Sequence, residues 1–391
     1  MTTHNEEKPI KAFNAPREVE WRPLEAKPDD DDQQRRARNN QKELHNMLLG
    51  SLQMQHVVVL AGSGCSLAAG APSMSDLWNA VVGKPATEEA KAAATTVNHD
   101  ITTENIEALL SRIEASLQLN EQEALRSFLN GGKKIILQQC SDFLDEEKLA
   151  AHRRFLHRLS RRRARDQRLK VFTTNYDLCF ERAASALGGI AIDGFSFTAP
   201  RRYDPRYFNY DLVRRPRSGE DASYLEGVFL LYKLHGSVSW ARKSDGTLHE
   251  EANPSPDQAC LIYPAAGKYQ QSFSQPHLES MAQYLAAVRE PNTCVVVAGF
   301  GFNDDHLSEP LLAAVQSNPH LRLIIVDPYA EQQTTGENKY WQAFNSLACK
   351  GEDIWFVAAD FEAFSEMVPD LKSLTPADTL MKAVQGVIKP S

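Results

Sequence analysis

His56-Val57-Val58-Val59-Leu60-Ala61-Gly62-Ser63-Gly64-Cys65-Ser66, closing at Gly70-Ala71-Pro72, is the stretch that decides the fold. His56 to Leu60 is a short β-branched run and reads as a buried core strand. A glycine turn follows directly, and Met74 to Val82 reads as a helix. Gly62 and Gly64 would let the backbone come close to a pyrophosphate, and the N-terminus of the following helix favours an anion. Many strand-to-helix turns are glycine-rich, so this segment alone also fits a purely structural turn.

The same grammar recurs along the chain. Leu169 to Thr173 is a second strand, followed by Thr174-Asn175-Tyr176-Asp177 and a helix from Phe180 to Leu187 that Gly188-Gly189 stops. Val228 to Leu234 is a third, followed by His235-Gly236-Ser237. Cys260 to Tyr263 reads as a further strand and Pro276 to Arg289 as a helix. Thr293 to Ala298 leads into Gly299-Phe300-Gly301-Phe302-Asn303-Asp304-Asp305, and Leu311 to Gln316 falls within the next helix. Leu321 to Val326 ends at Asp327-Pro328, and Asp353 to Val357 is the last strand. Strands alternating with helices predict an α/β fold with a Rossmann-like, mostly parallel sheet.

Open sheets of this kind build their sites beyond the carboxyl ends of the strands. Asn175, Asp177 and His235 stand there, as do Gly299, Gly301 and Asp327. Each has a plain alternative. Asp177 fits the cap of the helix containing Phe180, a histidine at a strand end is commonly structural, and Asp327 fits a cap or turn. The other ten histidines lack the setting of His235. Together the three polar turns point to an enzyme that binds a dinucleotide and breaks one of its bonds.

The chain has 391 residues, enough for two or three domains, with 42% hydrophobic and 24% charged residues and a net charge of -8. That balance argues against general nucleic-acid binding. Six scattered cysteines without a Cys-x-x-Cys pair argue against a disulfide framework and a structural zinc site. No apolar signal core occupies Met1 to Lys11 and no run is long enough to span a bilayer, so a soluble, cytoplasmic protein is expected. Residues 1–54 read as an N-terminal arm and helix, with Met1 to Lys27 disordered alone or ordered on a partner. Residues 55–85 and 169–365 read as the sheet domain, 86–168 as an all-helical insertion and 366–391 as a C-terminal tail or helix. The arginine run from Arg153 to Arg168 reads as a helix face, either solvated or a contact for nucleic acid or an acidic partner, the solvated face being the plainer reading in an acidic protein. Phe195 to Glu226 reads as a long loop.

Taken jointly, Gly62-Ser63-Gly64-Cys65-Ser66 with Gly70-Ala71-Pro72, Thr174-Asn175-Tyr176-Asp177, Leu234-His235-Gly236 and Gly299-Phe300-Gly301-Phe302 resemble the sirtuin superfamily. Sirtuin deacylases carry a four-cysteine zinc module between the histidine motif and the later glycine turn. Here that interval holds only Cys260 and Cys294, and Ser73-Met74 stand where the family has a phenylalanine-arginine pair. The pattern resembles the sirtuin-like NAD-hydrolysing proteins of bacterial anti-phage systems, and among them those that pair with a HerA-type hexameric ATPase. The resemblance implies an NAD+ glycohydrolase that releases nicotinamide and ADP-ribose, forms a homo-oligomer and uses NAD as substrate without zinc. On it, Gly62, Ser63, Gly64 and Ser66 would cradle the diphosphate and Asn175 would hold the ribose or a water. His235 would act as general base or orient a ribose hydroxyl, with Asp177 in support. Gly299, Gly301 and Asp327 would lie near the adenosine half. A lysine deacylase and a non-catalytic NAD or ADP-ribose sensor remain as alternatives. Regulation is expected through the arm, the arginine face or the Phe195–Glu226 loop.

Overall fold

A computed structural model describes residues 11–18, 20–27, 30–162, 166–215, 223–261 and 276–370. Its strands are β1 (Ala12–Asn14), β2 (Arg22–Pro23), β3 (His56–Ala61), β4 (Leu169–Thr173), β5 (Ile190–Ile192), β6 (Val213–Arg214), β7 (Ser223–Tyr224), β8 (Val228–Lys233), β9 (Gly236–Arg242), β10 (Leu248–Glu250), β11 (Ala259–Leu261), β12 (Thr293–Ala298), β13 (Leu321–Val326) and β14 (Ile354–Ala358). Its helices are α1 (Asp31–Leu52), α2 (Gly64–Leu67), α3 (Met74–Val82), α4 (Glu88–Thr96), α5 (Ile106–Leu119), α6 (Glu123–Asp142), α7 (Ala150–Leu159), α8 (Cys179–Ala186), α9 (His277–Ala287), α10 (Asp305–Ser317), α11 (Ala330–Thr335), α12 (Lys339–Lys350) and α13 (Phe361–Met367).

Nine strands form one sheet in the order β2-β1-β14-β13-β12-β3-β4-β8-β5. From β14 to β5 every neighbouring pair is parallel. This is the predicted α/β architecture with a mostly parallel sheet. The β-branched runs are buried on both faces, as central parallel strands require. Along β3 the pleat divides the side chains. Val57, Val59 and Ala61 join Leu44, Leu48, Phe155, Phe180 and Phe364 on one face. Val58 and Leu60 join Tyr284, Leu307, Leu311, Trp341 and Phe344 on the other. From β3 the chain builds outward through β4, β5 and β8, then returns to β12 on the opposite side of β3. The strand order therefore reverses between β3 and β12, where open sheets form a crevice.

Helices α3 to α6 make a third core around Trp78, Leu109, Leu110, Leu129 and Ile136. The same core takes in Tyr176 from the turn after β4 and Val238, Ala259 and Leu261 from a small sheet ordered β10-β9-β11. The helical layer thus roofs the carboxyl ends of the strands rather than hanging beside them.

Several sequence expectations are corrected. Within the arm, β1 pairs antiparallel with β14 and with β2, and Phe13 is fully buried, so β1 and β2 finish this chain's own sheet. The aromatic side chain supplies the apolar burial that a disordered arm lacks. Residues 1–10, and with them most of the N-terminal half of the arm, lie outside the described residues, as do 371–391 of the expected tail. The helical segment expected over 86–168 divides in two. Ala151, Phe155, Leu156 and Leu159 of α7 pack in the core of the sheet, not in the helical layer.

The arginine run is no solvated face. Arg158 donates from Nη1 to the carbonyls of Ser365, Glu366 and Val368 at the C-terminal end of α13. Arg162 is 8% exposed and donates to the carbonyls of Leu52, Met54, Gln55 and Gln167. Arg168 holds Asp211 and the Leu225 carbonyl. Arg163 and Arg165 lie outside the described residues. In the Phe195–Glu226 loop, Phe195 and Phe208 are buried, and Phe208 stacks on Tyr232 with ring centroids 4.2 Å apart. Strand β9 had no counterpart in the sequence reading.

Candidate functional site

A cavity of about 160 Å³ sits at the strand-order reversal, beneath the helical layer. Ser63, Ser66, Asn175, Asp177, His235, Gly299 and Gly301 line it, together with Glu107, Tyr176, Asn303 and Asp304. Gly62, Gly64 and Asp327 do not.

The two glycine turns meet at its floor. The Gly62 N–H donates to the Ala298 carbonyl and the Gly64 N–H to the Gly299 carbonyl, both at 3.0 Å. A Cβ on Gly62 would stand 2.4 Å from the Gly299 oxygen, and one on Gly64 would stand 2.6 Å from the Gly299 Cα. Gly299 itself has φ +59°, and a Cβ there would lie 2.4 Å from the Cys65 nitrogen. The close backbone approach that these glycines allow is therefore to each other. The Gly62, Gly64 and Cys65 amides are spent inside the protein. Asp327 closes the turn after β13, its Oδ1 accepting from the Tyr329 N–H at 2.7 Å.

Asn175 ties the second motif to the first. Its Nδ2 donates to the Gly62 carbonyl and to Ser66 Oγ, each at 3.0 Å. A carbonyl only accepts, so the amide nitrogen must face Gly62 and the amide oxygen the other way. The Thr174 N–H donates to the Ala61 carbonyl and the Leu234 N–H to the Thr173 carbonyl, which fixes the three strand ends against one another. Asp177 is buried, and its Oδ1 accepts from the Cys179 N–H at 2.9 Å, so it helps start α8 while lining the cavity.

Beneath this turn lies Lys233, whose ammonium is nearly inaccessible. It donates to the carbonyls of Asn175, at 3.3 Å, and of Asp177, and pairs with Glu181 at 3.2 Å. Burial pushes the Glu181 carboxyl up to about 7, against the pull of Lys233.

His235 is 3% exposed and its Nε2 lies 3.3 Å from Nε2 of His306. One ring must donate and the other accept. Burial drives His235 down to about 3, so the imidazole is neutral throughout the physiological range. His306 is also lowered, by burial and then by His235, while Asp304 and Asp305 pull the other way. Gly236 follows with φ +90°, and a Cβ there would strike the Cys260 carbonyl at 2.1 Å, so the chain can reverse into β9 only at a glycine.

Three groups escaped the sequence reading. His306 follows the second glycine turn by a few residues, a signal comparable to that of His235. Asp304 lies inside a quoted motif without a role. Glu107 stood in a helical stretch with no local mark. Burial and then the charge of Asp304 raise Glu107 to about 8, and Tyr176 Oη donates to its Oε1 at 3.4 Å. Among the described residues, no lysine or arginine lines the cavity, whereas three carboxyl groups do. No cluster of three or more His, Cys, Asp or Glu placed to hold a metal ion occurs among the described residues.

No curated protein matches the chain. Among solved structures it is similar to a Sir2 homologue–NAD complex, at 14% identity and TM-score 0.39 over 88% of this chain and 94% of that one. It is also similar to a sirtuin from work on sirtuin substrate affinity, at 15% identity and TM-score 0.43 over 85% and 99%. A third is Sir2 bound to acetylated peptide, at 14% identity and TM-score 0.42 over 84% and 96%. Residues 169–349, from β4 to the last turn of α12, match the family model described as the SIR2-like domain, and over that span the chain is similar to that family.

Proposed function

We propose that this chain cleaves the bond between nicotinamide and ribose in NAD+, releasing nicotinamide and ADP-ribose. One observation carries the reading: Asn175 and His235, from separate strand ends, line one acid-walled cavity at the strand-order reversal. Cleavage breaks the C1′–N bond, and the electron pair leaves with the ring, which becomes neutral. Positive charge then builds on the ribose until water adds at C1′ and loses a proton. An acidic lining favours both the cationic ring and the developing ribosyl cation. The Asn175 amide oxygen, turned away from Gly62, accepts from the water or a ribose hydroxyl. His235, held neutral by burial, is a weak proton acceptor, so its part is to hydrogen-bond a ribose hydroxyl. With the Gly62 and Gly64 amides engaged, Ser63 and Gly301 at the cavity wall are the groups left to meet the diphosphate.

The setting we attach to this activity comes from the motif resemblance: NAD+ depletion in anti-phage defence, in the cytoplasm, within a homo-oligomer that pairs with a HerA-type ATPase. No zinc is needed for the chemistry as written. The test is to incubate the purified chain with NAD+, alone and with its co-purifying partner, and to quantify nicotinamide and ADP-ribose by mass spectrometry. Asn175→Ala and His235→Ala should each lose on the order of 100-fold in rate. Absence of product from the parent, or parental turnover in both variants, overturns the reading. O-acyl-ADP-ribose formed from an acylated peptide would favour the deacylase instead.

A further inference from the structure

We propose that Glu107, carried into the cavity by the first turn of α5, is the residue through which the helical layer selects a ring of fixed positive charge over the same ring uncharged. The inference rests on reading the cavity as the site for the nicotinamide end of NAD+.

The placement is built from the sequence. Asn105 caps α5, its Oδ1 accepting from the Ala108 N–H at 2.9 Å, which puts Glu107 in the first turn. Ile106, Leu109 and Leu110 anchor that turn in the helical core. Glu107 is left facing the cavity, tethered by Tyr176 from the β4 turn and confronted by Asp304 from the β12 turn. Asp304 is in turn faced by His306 and Asp305, and Asp177 and His235 stand elsewhere on the lining. Both carboxyl groups are pushed toward their protonated forms by burial, and no lysine or arginine among the described residues lines the cavity to offset them.

A ligand cation supplies the missing counter-charge. Its entry favours ionised Glu107, so the proton held near neutral pH passes to the buffer. Affinity for a cation therefore rises with pH and levels off above about 8, the value to which Glu107 is raised in the empty cavity. An uncharged ring draws no such response.

The probe pair is 1-methylnicotinamide, a permanent cation that the enzyme has no ribose bond to break, and nicotinamide, the same ring without charge. Calorimetric titrations in two buffers of different ionisation enthalpy read affinity and proton release together. For the parent protein at pH 8, the cation should bind about tenfold more tightly than nicotinamide, with net proton release at pH 7. Glu107→Gln keeps the Tyr176 hydrogen bond and should bring the two affinities within about threefold, without proton release. Equal binding of both rings by the parent, binding of neither, or an unchanged preference in Glu107→Gln overturns the inference. Proton release by the parent is a readout that needs no variant to fold. Cation preference without nicotinamide release from NAD+ supports Glu107's role and overturns the cleavage reading. Release from NAD+ without cation preference does the reverse.

Discussion

Replacing Lys233 with methionine tests what holds the Asn175–Asp177 turn. Lys233 stands under that turn, with its ammonium on two backbone carbonyls and on Glu181. Removing one partner of a buried ion pair costs about 3–5 kcal/mol. Each carbonyl left without its donor adds about 1 kcal/mol. Glu181 offsets part of this, because burial already raises it to about 7 and it can take up a proton once Lys233 is gone. The net loss at pH 7 should be about 3 kcal/mol, or about 3–4 °C in melting temperature for a chain of this size. The pH dependence has a definite sign. Glu181 in the folded protein titrates above its unfolded value, so its share of stability is full below about 4.3 and is lost as pH rises through about 7. The variant, with Glu181 raised further, should show its smallest deficit in acid and a growing one toward pH 8. The assays are thermal melts across pH and nicotinamide release from NAD+. In Lys233→Met/Glu181→Gln the orphaned acid is gone, so stability should partly return while turnover stays about tenfold low, because the turn remains untethered. A single variant that melts within about 1 °C of the parent and turns over NAD+ at the parental rate would show that Lys233 does not hold the turn.

Gly299→Ala should cost at least about 3 kcal/mol, since its Cβ would meet the Cys65 nitrogen at 2.4 Å in a left-handed backbone conformation; a parental melting curve would show that the glycine turns do not meet as described. Arg162→Ala strips a donor from four carbonyls and should lower stability by about 2–4 kcal/mol without changing assembly size; light scattering together with a melt separates the two effects, and a change of mass alone would restore the arginine run as an assembly surface. Because His235 is held down at about 3, its imidazole stays neutral from about pH 5 to 8, and the pH profile of kcat/KM should carry no limb near its ordinary value of about 6.5. The profile should instead carry the limb of Glu107 near 8, absent in Glu107→Gln; a persistent limb near 6.5 would put the proton back on His235.

The central strands and the turns at their ends are legible from the order of residues alone. Val57 to Ala61, Leu169 to Thr173, Thr293 to Ala298 and Leu321 to Val326 are legible because strands buried on both faces must be apolar and β-branched throughout. The polar or glycine turn after each is legible because it must stop the strand. Asn175 and His235 stood out for that reason alone. What a short apolar run does not carry is its neighbour in the sheet. Only the tertiary structure put β12 beside β3, turned Gly62, Gly64 and Gly299 toward one another and left Asp327 outside the cavity. Nor does local sequence mark a side chain whose meaning is its surroundings. Phe13 in a charged arm, Arg162 in an arginine run and Glu107 on an amphipathic helix resemble many surface-segment residues. Each acquires its role from groups more than fifty residues away: strand β14, the carbonyls at the end of α1, and the carboxyl of Asp304. Burial and charge coupling act through space, and the order of the chain does not record them.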